Sequence, residues 1–364
     1  MNWAQLTGAG IVTIALADVF LTVLFARSGT GLITPRLNRL IWALFKAASP
    51  RRGGLRDTIL AFAGPTMMVA TVSVWFLLLT CGFALIVWPA LGTSIQASQG
   101  PTPTDFAAAL YFSGYSLTTL GTGDIVPQTS GFRILMVLQA FLGFSILTLA
   151  LTYLMSVYSA LVRRNTLAQA LHHLSSGTGN AAELVAGLGA GGSFEDARNR
   201  LSTLAVRVLG LLESHHSYPV LHYFRLREPR YAMARIALLT MDTATLLRTA
   251  FGLQHEALAR SGAVQMLWGS GLALLRETGA TFLPKRTEVP AQDERSKSDK
   301  AARFDAALHR VQAAGIATTS DTAGAFATYT SLREEWVGLT RAFAMSMGHQ
   351  WDEIEPRPQA RTSG

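Results

Sequence analysis

With 364 residues, 49% of them hydrophobic and only 15% charged, the chain falls short of the charge carried by a soluble globular domain, about 25%. The long uncharged runs lie almost entirely before Leu161, so a uniformly soluble protein is excluded. A membrane part followed by a soluble part is expected, each long enough to bury a core. The net charge of +8 could serve nucleic acid, but the basic residues have a simpler place. Arg27, Arg36, Arg39, Lys46, Arg51, Arg52 and Arg56 sit between two apolar runs, with no acid among them until Asp57. That is the positive-inside signature of a short cytoplasmic loop, and no nucleic-acid partner is expected. The single cysteine, Cys81, rules out an intrachain disulfide and lacks companions for a metal site.

The first apolar run, residues 7–26, could be a signal peptide or a retained membrane helix. It has no basic region before it, holds Asp18 in its apolar core and shows no small-residue cleavage pattern before Arg27. These features favour a retained helix with its N-terminus outside. A carboxylate at membrane depth costs about 2.5–3.5 kcal/mol on insertion scales. Asp18 therefore needs either a structural pair with the neighbouring helix or a wet place in gating or permeation. Over residues 35–46, Leu37, Leu40, Ile41, Leu44 and Phe45 share one helical face, with Arg36, Arg39 and Lys46 off it. Such a helix suits the cytoplasmic headgroup layer, or packing on the soluble part.

Gly64-Pro65 opens a second spanning helix over 66–88, and Pro89 closes it. About 20 residues at 1.5 Å rise cross a hydrocarbon core of about 30 Å. A polar outer loop over 92–103 follows, then a helix over 104–117 too short to span. The last spanning helix covers 133–161, with Arg163 and Arg164 at its cytoplasmic end. No spanning segment carries Arg or Lys at every third position, which excludes a voltage sensor.

Between the short helix and the last spanning helix lies Thr119-Leu120-Gly121-Thr122-Gly123-Asp124. Extended backbone at membrane depth must be buried in protein or line a water-filled path. Gly121 and Gly123, two apart, permit backbone angles closed to other residues at alternate positions. Successive carbonyls can then point one way, and several such strands around an axis would replace the water shell of a monovalent cation. Thr119 can add a hydroxyl at the inner mouth. The short helix aims its partly negative end at the space below, and Asp124 places a carboxylate behind the outer mouth.

The run Ser116-Leu117-Thr118-Thr119-Leu120-Gly121-Thr122-Gly123-Asp124-Ile125-Val126-Pro127 resembles the pore signature of the potassium-channel superfamily, usually T-T-V-G-Y-G-D. The resemblance covers about residues 66–161. It implies an all-α membrane protein with a pore-loop cation channel domain: outer helix, pore helix, selectivity filter, inner helix. It further implies a homotetramer in the lipid bilayer, K⁺ ions as the permeant species in the filter, and no cofactor. Gly143 lies about where that family places a glycine hinge in its inner helix, though helix packing would equally use a small residue there. Leu120 and Thr122 depart from the usual Val and Tyr. The family's Tyr packs against pore-helix aromatics, and Thr122 is too short to reach Tyr111, Phe112 or Tyr115 in the same way. Strict K⁺ selectivity and weak selectivity among monovalent cations both stay open. A non-conducting membrane sensor or scaffold with a channel-like fold is a further alternative, against which the intact glycines speak.

The soluble half reads as helices over 163–175, 180–186, 194–215, 231–261, 264–278, 300–314 and 320–347, without strand-like alternation. No Rossmann fingerprint, nucleophile–base set or phosphate loop occurs, so no enzyme is expected. His215, His216 and His222 cluster; they could bind a metal, sense protons or be structural, and they match no standard zinc spacing. Residues 187–192 and 283–303 read as linkers. The expected organisation is an N-terminal membrane and interfacial helix (1–56), a pore domain (57–162), a cytosolic helical domain open to an unidentified ligand or protein (163–355), and a disordered tail (356–364). The chain is expected in the cell membrane, multi-pass, with its C-terminal domain cytoplasmic.

Overall fold

The computed structural model describes residues 2–25, 31–50, 53–190, 194–283 and 297–355. Arg27, Arg51, Arg52, residues 191–192 and 284–296 of the expected linkers and the expected tail lie outside the described residues. The rest of those linkers is partly helical, 187–188 ending one helix and 297–303 opening another. The fold is helical, and three helices are long and apolar enough to cross a membrane: Trp3–Leu24, Gly54–Ala90 and Ser130–Leu174. Contacts group the chain into two compact units. One comprises Met1–Ala48 and Phe62–Ser159; the other comprises Ser49–Ala61 and everything from Ala160 on. Residues 49–61 thus pack with the second unit rather than with the helices that flank them in sequence.

In the first unit, α1 (Trp3–Val19, continued by a π turn over Phe20–Leu24) lies along α4 (Ala63–Val87). The approach is close because Gly8 and Gly82 face each other. A Cβ on Gly82 would stand 2.8 Å from Val12 Cγ2, and one on Gly8 would strike the Gly82 carbonyl. Small residues at a helix crossing let apolar helices gain van der Waals contact where no hydrophobic drive exists. Helix α2 (Thr34–Ala48) packs on α4 through Asn38 and Ile41 and leaves Leu40 and Leu44 uncovered. It therefore packs within the first unit. Past α4, β1 (Ile95–Ala97), α5 (Phe106–Leu117), β2 (Ile125–Pro127) and α6 (Ser130–Leu174) follow. β1 and β2 pair antiparallel, Ile95 opposite Pro127 and Ala97 opposite Ile125. Three-residue strands show no alternation in sequence, which is why the ladder was not expected. Val87, Ile95, Phe112, Tyr115 and Ile125 close a small core between α4, α5 and the ladder.

α6 is one helix of 45 residues, about 68 Å at 1.5 Å per residue. The expected break between 161 and 163 does not exist. Arg163 and Arg164 mark the end of the apolar stretch but are good helix formers, and no Gly or Pro lies between Gly143 and the helix end at Leu174.

The second unit begins with α3 (Gly54–Ala61), whose Asp57 pairs with Arg225 at 2.7 Å. Its core is built around α9 (Met233–Thr249), buried on nearly every side. Around it stand α7 (Ala181–Leu188), α8 (Ala197–Ser217), α11 (Gly262–Phe282), α12 (Lys297–Ala313), α13 (Thr322–Glu334) and α14 (Val337–Ser346). Two expected helices are split. The run 231–261 ends at Thr249, where the Ala250 carbonyl accepts the Thr319 amide at 2.9 Å; only α10 (Glu256–Ala259) follows. The run 320–347 breaks at Trp336, whose ring is fully buried beside the Arg333 guanidinium, 5.1 Å from its centroid. α15 (Trp351–Ile354) ends the described chain.

Candidate selectivity filter

The candidate filter is reached through a short, well-anchored helix. Asp105 caps α5 by accepting the Ala108 amide at 2.7 Å, which satisfies one of the donors left over at a helix start. Trp88 Nε1 donates to the Thr104 carbonyl at 3.1 Å, and its ring meets Phe106 edge-on at 5.3 Å. Twelve residues span about 18 Å, so α5 stops part-way through a bilayer. Its last turn closes tightly: Leu120 N donates to Tyr115 O at 2.9 Å and Thr119 N to Ser116 O at 3.3 Å.

From there, every second residue adopts the left-handed region: Thr119 at φ +59°, Gly121 at +62° and Gly123 at +74°. Leu120 and Thr122 do not. In an ordinary strand, successive residues face opposite ways; alternating the hand of the backbone cancels that alternation. Glycine bears this conformation freely, whereas at Thr119 it is a strained state of the kind found at functional sites.

Beyond the filter the return is braced. The Asp124 carbonyl accepts from Ser98 N at 2.8 Å and Ser98 Oγ at 3.1 Å, Tyr115 Oη donates to the Ile125 carbonyl, and β2 pairs with β1. Side chains form a chain of their own. Tyr111 Oη donates to Thr122 Oγ1 at 3.1 Å, and Thr122 Oγ1 donates to Asp124 Oδ1 at 2.7 Å. Thr122 meets the pore-helix aromatics by a hydrogen bond rather than by ring packing. The phenol supplies the missing length, because Tyr111 projects its hydroxyl out to the shorter side chain. The Thr122 hydroxyl holds the Asp124 carboxyl below its ordinary range.

Gly143 sits where α6 passes the end of α5, and a Cβ there would strike the Leu117 carbonyl. Packing alone accounts for a glycine at this point. Asp18 lies apart from the filter. It is fully buried, and its carboxylate accepts from Ile33 N at 2.7 Å, Thr34 N at 3.3 Å, Thr34 Oγ1 at 2.6 Å and Trp75 Nε1 at 2.8 Å. It caps α2 from outside and ties it to α4.

His215 and His222 come together against the ring of Phe282, at 6.2 and 4.2 Å between ring centres, without forming a ligand set. His215 is buried, with Nδ1 2.9 Å from the Leu211 carbonyl. His222 is buried and stacks on Phe282 at 4.2 Å, while His216 faces Glu277 at 3.2 Å. Burial pushes His215 down to about 4 and His222 down to about 3. Among the described residues, no three His, Cys, Asp or Glu side chains stand close enough to share a metal ion. Sequence reasoning missed Ser98, Trp75 and the Gly8–Gly82 crossing. None carries a local pattern, since each acts through a partner distant in sequence.

Residues 71–160 match the model of the ion channel family, and this segment is a two-helix pore-loop domain of the potassium-channel type. A protein of Bacillus subtilis (strain 168), described as uncharacterized membrane protein YdjJ, is 28% identical over 219 residues, 60% of this chain and 62% of that protein. The chain thus spans less than two thirds of that relative's length. No solved structure matches it. The chain is an all-α membrane protein with several membrane helices and a channel domain.

Proposed function

We propose that the chain is one subunit of a homotetrameric potassium channel. Its carbonyl-lined filter runs from Thr119 through Leu120, Gly121, Thr122 and Gly123 to Asp124. The alternating left-handed backbone at Thr119, Gly121 and Gly123 carries this reading, since it suits stacked rings of carbonyl oxygens that strip water from a cation. One filter per chain requires a closed ring of copies. In a single chain, both the filter and an apolar stripe of α6 (Phe141 and Phe144 at 65% exposure, Met155 at 75%) are uncovered. The hydroxyl chain from Tyr111 to Asp124 supports K⁺ selectivity, because it fixes Thr122 as a longer aromatic side chain otherwise would. The second unit is cytoplasmic and gates the pore, and the N-terminus lies outside. Weak selectivity between K⁺ and Na⁺ is the second reading, resting on Thr122 in place of Tyr.

Cation flux into proteoliposomes decides between them. The expected result is K⁺ uptake well above Na⁺ uptake, lost in Gly121→Ala while the protein stays folded and oligomeric. Equal K⁺ and Na⁺ uptake would establish the second reading, and no flux from intact oligomers would overturn the channel.

A further inference from the structure

We infer that the second unit holds a binding site for a small organic anion with an apolar body, between the loop that follows α6 and helices α9 and α12. A cavity of about 480 Å³ lies there, within the range of small-molecule sites, roughly 300–1,000 Å³. One wall is apolar: Leu238, Leu239 and Leu246 of α9 and Ala307 of α12. The other carries charge, with Asp242, Arg303, Tyr329 and Glu355.

The charged wall leaves one donor unmatched. Asp242 is occupied: Arg333 Nη1 lies 2.9 and 3.2 Å from its two oxygens, and Tyr329 Oη donates to it at 3.1 Å. Glu355 takes a nitrogen from Arg303 and another from Arg333. Arg303 Nη2, by contrast, is buried and finds no acceptor among the described residues. A buried charged donor without an acceptor is costly, and an anion seated in the cavity would satisfy it. Arg303 is the one cation among the lining residues; Arg333 and Arg235, whose guanidinium donates to the Thr178 carbonyl at 3.3 Å, stand behind the lining and offset the two carboxylates. Asn180 and Ala181, at the start of α7, also line the space, and a helix start adds partial positive charge.

The site is preformed. Ser175 Oγ donates to the Leu171 carbonyl at 2.8 Å and accepts Gly179 N at 3.1 Å. Gly179 has φ +62°, and a Cβ on it would strike the Arg235 guanidinium. Only glycine fits there, so the loop holds one shape. Because that loop directly continues α6, a bound anion gives the cell a handle on the helix that follows the filter. This consequence alone rests on the channel reading; the binding itself does not.

The test is calorimetric titration of the full-length protein in detergent with 1-naphthyl phosphate, beside 1-naphthol and 1-naphthylmethylamine. The phosphate is expected to bind and the other two not. Arg303→Gln should weaken binding at least tenfold, and Ala306→Trp, at an exposed position on the rim, should abolish it. Thermal melts check that both variants fold; if Arg303→Gln does not, Ala306→Trp decides alone. No phosphate binding, equal binding of the amine, or undiminished affinity in folded Ala306→Trp would overturn the site. In proteoliposomes, a change in K⁺ flux on adding the phosphate, absent in Ala306→Trp, supports the regulatory consequence. Tight binding with unchanged flux removes that consequence and leaves the site.

Discussion

The hydroxyl of Thr122 sits between a donor and an acceptor, and in the proposed filter this decides how firmly the backbone is held. Tyr111 donates to it at 3.1 Å and it donates to Asp124 at 2.7 Å, so the pore helix grips the filter through a polar chain rather than a packed ring. Removing the first link by Tyr111→Phe keeps the ring and its edge contact with Tyr115 but frees Thr122. One neutral hydrogen bond contributes about 0.5–1.5 kcal/mol net. The K⁺ over Na⁺ flux ratio should therefore fall about 2- to 10-fold, with total flux maintained. An unchanged ratio in the proteoliposome assay would mean that the chain does not set filter width. At this scale the sequence is partly transparent. Gly121 and Gly123 announce an unusual backbone by their type alone. The positive φ of Thr119 does not show in its identity, nor does the meeting of Tyr111 with Thr122, which depends on how α5 is rotated about its axis.

Among the elements, Asp18 has the widest reach, because one carboxylate joins α1, α2 and α4. Its four donors come from the start of α2 and from Trp75 of α4, and no cation faces it among the contacts described. Asp18→Asn presents an NH₂ group where one oxygen accepts. A buried donor facing a donor costs about 1–3 kcal/mol, so the melting temperature in detergent should drop by several degrees. The flux ratio of the folded variant should not change. A variant that melts as the native protein does but conducts differently would instead assign Asp18 to permeation. Element types were readable from hydrophobic spacing, as the spanning helices and the short α5 illustrate. Boundaries failed wherever tertiary contacts set them. α6 runs through Arg163 because nothing local stops it, and α9 stops at Thr249 without a strong breaker. The cavity beside Arg303 gathers residues from positions 177 to 355, a convergence that no local pattern encodes.

The molecule as a whole is asymmetric in its titrating groups, and this makes its two units separable by acid. All eight histidines lie after residue 171, within the second unit. Burial holds His215 at about 4 and His222 at about 3, with Arg164 nearby adding to both effects. His349 is lowered as well, chiefly by burial, with Glu353 and Asp57 opposing and Arg225 adding. Unfolded histidine titrates near 6.5. Because the folded state resists the proton, the stability these residues carry is complete above about pH 6.5 and is lost progressively as pH falls toward the folded values. For His215 and His222 the loss reaches the order of 3 kcal/mol each. Asp242, raised by burial, pulls the other way, but it is one group against four, since His172 is lowered as well, chiefly by burial. Acidification from pH 7 toward 4 should therefore unfold the second unit first. Peptide-resolved hydrogen exchange should lose protection across α8, α9 and α11 while α4 and α5 keep theirs. His222→Leu, apolar and able to fill much of the space against Phe282, should move that transition to lower pH. Simultaneous loss in both units, or a transition that His222→Leu does not shift, would show that the buried imidazoles do not govern acid stability.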